Sequence, residues 1–78
     1  MEPKYLSDLK VKSKVRILKI KGSGIIKRRI MDMGVVPGTE LEIERIAPLG
    51  DPIEVKVKGY HLSLRKKEAS NIEVEEIR

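Results

Sequence analysis

The stretch Lys27-Arg28-Arg29-Ile30-Met31-Asp32-Met33-Gly34-Val35-Val36-Pro37-Gly38 decides how the chain is read. It predicts the last turns of a short helix, a glycine stop and a tight turn into a strand. Gly34 follows the final apolar helix position, where a left-handed residue is wanted and glycine adopts that conformation without steric cost. Val35 then falls where a Schellman stop folds an apolar side chain back onto Ile30. Val36-Pro37-Gly38-Thr39 places proline second and glycine third, the chemistry of a type II turn. The segment therefore specifies a helix end, a reversal and a strand start, and it carries three consecutive cations.

Upstream, Gly22-Ser23-Gly24 breaks a strand and offers Ser23 as N-cap for a helix from about Gly24 to Met33. Ile26, Ile30 and Met33 fall at i, i+4 and i+7 and form one apolar stripe, with Lys27, Arg28 and Arg29 mostly off it. In the strand before it, over Lys14–Lys21, Val15 and Ile17 share one face, while Leu18 and Ile20 share the other. A strand that changes its buried face midway contains a bulge or a strong bend. Tyr5–Leu9 reads as a polar lead-in or a single helical turn capped by Ser7.

Downstream, Glu40–Ile46 alternates, with Leu41 and Ile43 inward and three glutamates outward. Ala47–Pro52 is a loop by its Pro, Gly and Asp content. Ile53–Lys58 alternates again, and its charged face can pair across strands with those glutamates. Gly59 marks a sharp bend or turn, after which Tyr60, Leu62 and Leu64 alternate with His61 and Ser63. Arg65–Ser70 suits one helical or 3₁₀ turn, and Ile72, Val74 and Ile77 form a closing strand. The sum is a mainly β protein of about five short strands with one short inserted α-helix. That spacing favours a small, strongly bent SH3-like barrel over a sandwich, which needs about seven strands. A single domain over residues 1–78 is expected.

Composition narrows the chemistry. With no cysteine, neither a disulfide nor a thiolate metal site can staple the chain. No apolar run approaches the ~20 residues of a membrane span, and Met1–Tyr5 lacks the apolar core of a signal peptide, so a cytoplasmic location is expected. The net charge of +5 is uneven: residues 1–36 hold ten Lys/Arg against three Asp/Glu, and residues 37–78 hold seven against nine. A basic front half can meet nucleic acid, an anionic membrane surface or an acidic protein. Base stacking needs aromatic rings, and there are only Tyr5 and Tyr60. A basic SH3-like nucleic-acid-binding domain is therefore the alternative reading, and no nucleic acid is expected as partner.

Catalysis has little to stand on: His61 is the only histidine, it sits in a strand alternation, and nothing resembles a nucleophile elbow. A metal held by His61 with Asp51 or Glu54 would have one imidazole and no thiolate, so neither metal nor cofactor is expected. Gly22-Ser23-Gly24 lacks the spacing of a phosphate loop and is explained by a strand–helix turn. The cationic run carries more. A solvated helix face is the common fate of such runs, but here it adjoins the apolar Met31, Val35 and Val36, a neighbourhood suited to a partner. Arg28, Arg29, Met31 and Val35 are the candidate partner-binding residues, held in place by the structural motif residues Gly34, Pro37, Gly38 and Gly59.

Arg29 to Gly38 resembles the R-L-x-x-M-G-[LI]-x-P-G signature of the FeoA family, small proteins of bacterial and archaeal ferrous iron uptake. A second block agrees: Ala47-Pro48-Leu49-Gly50-Asp51-Pro52, the Ile53/Val55/Val57 strand, Gly59-Tyr60 and Leu62-Ser63-Leu64-Arg65. Ile30 and Val35 stand where leucine is commoner in the family. The resemblance implies an SH3-like barrel and a non-enzymatic accessory role beside FeoB, a membrane ferrous iron transporter with a cytosolic GTPase domain. It implies action by protein contact at the cytosolic face, with self-association left open. The same domain ends iron-dependent repressors related to the diphtheria toxin repressor, but a helix-turn-helix is not expected within 78 residues that the domain fills. A free-standing transport accessory is thus favoured over an iron-regulator-type interaction module. Proline-rich peptide binding is not expected, because two tyrosines cannot line such a groove.

Overall fold

Short runs of alternating apolar and charged residues build β2 (Lys14–Ile20), β3 (Glu40–Ile46), β4 (Ile53–Val57), β5 (Tyr60–Leu64) and β6 (Ile72–Ile77), in a computed structural model that describes residues 3–77. A further strand, β1 (Lys4–Tyr5), pairs with β6 through Lys4 opposite Val74 and Tyr5 opposite Glu73. Two residues show no periodicity, and only Tyr5 overlaps the Tyr5–Leu9 lead-in; pairing with β6 is what makes a strand of them. The helices are α1 (Gly24–Asp32) and a single turn, α2 (Lys66–Ala69). All strand pairs are antiparallel in one sheet, ordered β1-β6-β2-β3-β4-β5.

The sheet is curled. The described chain, helices included, measures 28 × 26 × 25 Å, nearly equal in all directions. Two bulges do the bending. In β2 the partner of Ile17 is Val74 and that of Lys19 is Glu73, so Leu18 is the extra residue. Leu18 and Lys19 both face solvent, and Ile20 rejoins Val15 and Ile17 in the core. This corrects the expectation that Leu18 and Ile20 share a second buried face: the bulge resets the period instead. In β3, Glu44 is extra between the Ile43–Val55 and Arg45–Glu54 pairs, which turns Ile46 inward. Clean alternation gave no warning of that second bulge.

One cluster of aliphatic side chains fills the interior, with Val15, Ile17, Ile43, Val55 and Leu64 from the sheet meeting Ile30 from α1. Each such side chain contributes about 1.5–3 kcal/mol when fully buried. Leu6, in a 3₁₀ turn over Leu6–Asp8, is fully buried in the same core. On the outer face, the Arg16 guanidinium lies 3.1 Å from Glu40 and 3.0 Å from Glu75, bridging three strands. Lys58 and Gly59, at φ 49° and 87°, form the two-residue turn that joins Val57 to Tyr60, as a type I′ hairpin requires.

Candidate docking surface

Helix α1 begins where the Ser23 hydroxyl accepts a 3.4 Å hydrogen bond from the Ile26 N–H. Its other end is the predicted stop. The Gly34 N–H donates to the Met31 carbonyl at 2.9 Å and the Val35 N–H to the Ile30 carbonyl at 3.4 Å, the two bonds of a Schellman motif. Gly34 is left-handed, at φ 89°. The Thr39 N–H then donates to the Val36 carbonyl at 3.1 Å, with Gly38 at φ 91°, as a type II turn demands. Pro37 and Gly38 face solvent at its corner.

Tyr60 was not foreseen here. From β5 its hydroxyl donates to the Met33 carbonyl at 2.9 Å, and a Cβ at Gly34 would collide with that hydroxyl. The tyrosine thus satisfies a helix-end carbonyl that the helix leaves without a partner. Nothing in local periodicity points to it, because the ring arrives from a strand distant along the chain.

The expected docking residues separate. Arg28 is exposed and has no ion-pair partner among the described residues. Met31 is 38% exposed. Val35 is fully buried, which corrects its assignment to a partner surface. The Schellman stop that carries it back onto Ile30 also carries it into the core. Arg29 remains largely exposed, yet its Nε lies 3.4 Å from a carboxylate oxygen of Glu68, whose side chain is only 11% exposed. Glu68 also accepts a 2.9 Å hydrogen bond from the Arg65 N–H at the start of α2. Arg29 therefore fastens α1 to α2.

The loop over residues 47–52 is tied to the same region. The Asp51 carboxylate accepts a 3.0 Å hydrogen bond from the Lys66 N–H, and the Gly50 N–H donates to the Ala47 carbonyl at 2.7 Å. Between α1 and α2 lies a groove of about 420 Å³. Ile25 and Ile26 line it from α1, and Asp51, Arg65 and Lys67 line it with the Arg29–Glu68 pair. Ile25 was missed as a surface feature, although its place off the Ile26/Ile30/Met33 stripe was a readable signal.

Other charges are engaged in the fold. Lys4 bonds Glu76 at 2.8 Å. The Lys21 ammonium donates to the Tyr5 hydroxyl at 2.7 Å and lies 3.4 Å from Glu73; that hydrogen bond first, and then Glu73, raise its pKa above the ordinary lysine value. His61 is exposed on β5 and its Nδ1 meets the Glu44 carboxylate at the β3 bulge. Among the described residues no three His, Asp or Glu side chains gather, so His61, Asp51 and Glu54 are not brought together.

A family model for the FeoA domain matches residues 4–76. The Fe(2+) transport protein A/Fe(2+) transporter FeoB fusion protein of Porphyromonas gingivalis is 38% identical over 70 residues. That match covers 90% of this chain, which spans 8% of the length of the relative. Among solved structures, a FeoA-like protein from Clostridium acetobutylicum superimposes with a TM-score of 0.91 at 46% identity, covering 100% of this chain and 91% of that one. FeoA from Stenotrophomonas maltophilia, solved with zinc and described as a prokaryotic SH3 domain protein, gives a TM-score of 0.78 at 26% identity. There the coverage is 92% of this chain and 89% of that one. The curled, mainly β sheet is accordingly SH3-like, and with its helix stop and turn inside a match from residue 4 to 76, the chain belongs to the FeoA domain family.

Proposed function

We propose that this protein is a cytoplasmic, non-enzymatic accessory of ferrous iron uptake that binds the cytosolic GTPase domain of a FeoB-type transporter. One observation carries the reading: in the P. gingivalis relative, Fe(2+) transport protein A and the FeoB transporter share one chain. Tethering two modules raises their effective concentration about each other, an arrangement suited to partners that touch. The exposed face of α1 supplies suitable groups in Arg28, Arg29 and Met31. Cations beside a flexible thioether fit an acidic, apolar partner surface. These groups dock; they do not move protons between substrates.

Calorimetric titration of this chain against a purified FeoB-type cytosolic domain, and against the full-length transporter, tests the reading. Saturable binding is expected, weakened about fivefold or more by Arg28→Glu. Absence of binding to both forms overturns it.

A further inference from the structure

We propose that the groove between α1 and α2 is a docking cleft for an acidic protein segment that inserts an aliphatic side chain. The proposal rests on the accessory reading only for the origin of that segment, on the transporter's cytosolic side; the chemistry of the groove stands apart from it.

The apolar half of the argument is exposure. Leu49 and Ile25, at 94% and 83%, are the most exposed large apolar side chains among the described residues. Neither contributes to the core. Ile25 lines the groove, while Leu49 stands two residues before Asp51, which lines it too. The loop cannot swing away freely, because Asp51 is bonded to the Lys66 N–H. Large apolar groups held in water beside a concavity mark a binding surface rather than a packing need.

The charged half is arithmetic of partners. The two carboxylates of the groove are already occupied, Glu68 by Arg29 and the Arg65 N–H, and Asp51 by the Lys66 N–H. Arg65 and Lys67 have no ion-pair partner among the described residues. With Arg29, Arg65 and Lys67 against Asp51 and Glu68, the groove keeps net positive charge for carboxylates arriving with the ligand. A protein segment suits the site better than a membrane, because a protruding side chain can enter a concave groove and a lipid surface cannot follow it inward. Nucleic acid is disfavoured by the lack of any aromatic ring lining the groove.

The probe is an acetylated peptide of about twelve residues, with leucine at every third or fourth position and glutamate between, the spacing of a helix laid in a groove. It is titrated into the ¹⁵N-labelled full chain. Shifts should cluster at Ile25–Arg29, Leu49–Asp51 and Arg65–Glu68, and affinity should fall with salt. Ile25→Ser and Leu49→Ser should each weaken binding about tenfold, with the remaining spectrum unchanged because both side chains are in solvent. Arg65→Gln with Lys67→Gln should flatten the salt dependence.

Shifts elsewhere, none at about 1 mM peptide, or equal binding by a peptide with serine for leucine overturn the proposal. So does binding to phosphatidylglycerol vesicles that the same serine variants abolish, which would make the patch a membrane contact. Failure of the accessory reading looks different. Peptide binding in the groove without transporter binding sinks that reading and leaves the groove. Transporter binding undiminished by Ile25→Ser and Leu49→Ser does the reverse.

Discussion

Gly34 is constrained by its own backbone and by a neighbour. At φ 89° any L side chain is strained, and the first atom of that side chain would strike the Tyr60 hydroxyl. Gly34→Ala should therefore cost about 1–3 kcal/mol in urea denaturation. Tyr60→Phe should cost about 1 kcal/mol, from leaving the Met33 carbonyl without its donor. With the hydroxyl gone the collision is relieved, so the alanine penalty should shrink in the Tyr60→Phe background, a coupling that a double-mutant cycle measures. Glu76 offers a second test. The Lys4 hydrogen bond, and then its charge, hold the Glu76 carboxyl below its ordinary value of 4.5. A depressed folded value means that the pair stabilises above the unfolded value and loses this as pH falls through the folded one. Both groups are exposed, so the effect on stability is small. A carbon-13 titration of Glu76 should show a midpoint below 4.5 that returns toward it in Lys4→Gln.

Helix α1 has nine residues, too few to persist alone in water. It is held by Ile30, by its stop and by Arg29 reaching Glu68. The two ends of that ion pair are not equivalent. Arg29→Ala removes a mostly exposed partner and should cost under about 1 kcal/mol. Glu68→Ala removes a largely buried carboxylate that also serves the Arg65 N–H, and should cost about 1–3 kcal/mol. Hydrogen exchange of α2 amides should accelerate in the glutamate variant and little in the arginine one. The β2 bulge makes a comparable contrast. Leu18→Lys should change stability within about 0.5 kcal/mol, because Leu18 is the outward extra residue. Ile20→Lys would bury an unpaired charge, so the chain should be unfolded by circular dichroism. A similar loss in both would show that the strand does not reset its period at Leu18.

The sheet is completed by residues far apart in the chain: β1 and β2 flank β6, and Leu6 is fully buried in the shared core. For 78 residues the total stability is about 4–12 kcal/mol. Leu6→Ala should remove about 2–5 kcal/mol of it, and each kcal/mol lowers Tm by about 4–8 °C in a domain of this size. The helix stop, the type II turn, the sharp bend or turn at Gly59 and the strand alternation were all legible in the residues, and so was the family signature built on them. Each depends on groups within a few positions of one another, where backbone sterics and side-chain period act directly. Much of the candidate site was not legible. Val35 was read as surface and is core, Arg29 holds Glu68, and Tyr60 caps a carbonyl 27 positions away. Ile25 and Asp51 came to line one groove only when the loop over residues 47–52 was bonded to α2 beside α1. Such contacts follow from how a curled sheet brings distant segments together, and a one-dimensional pattern carries no term for that approach.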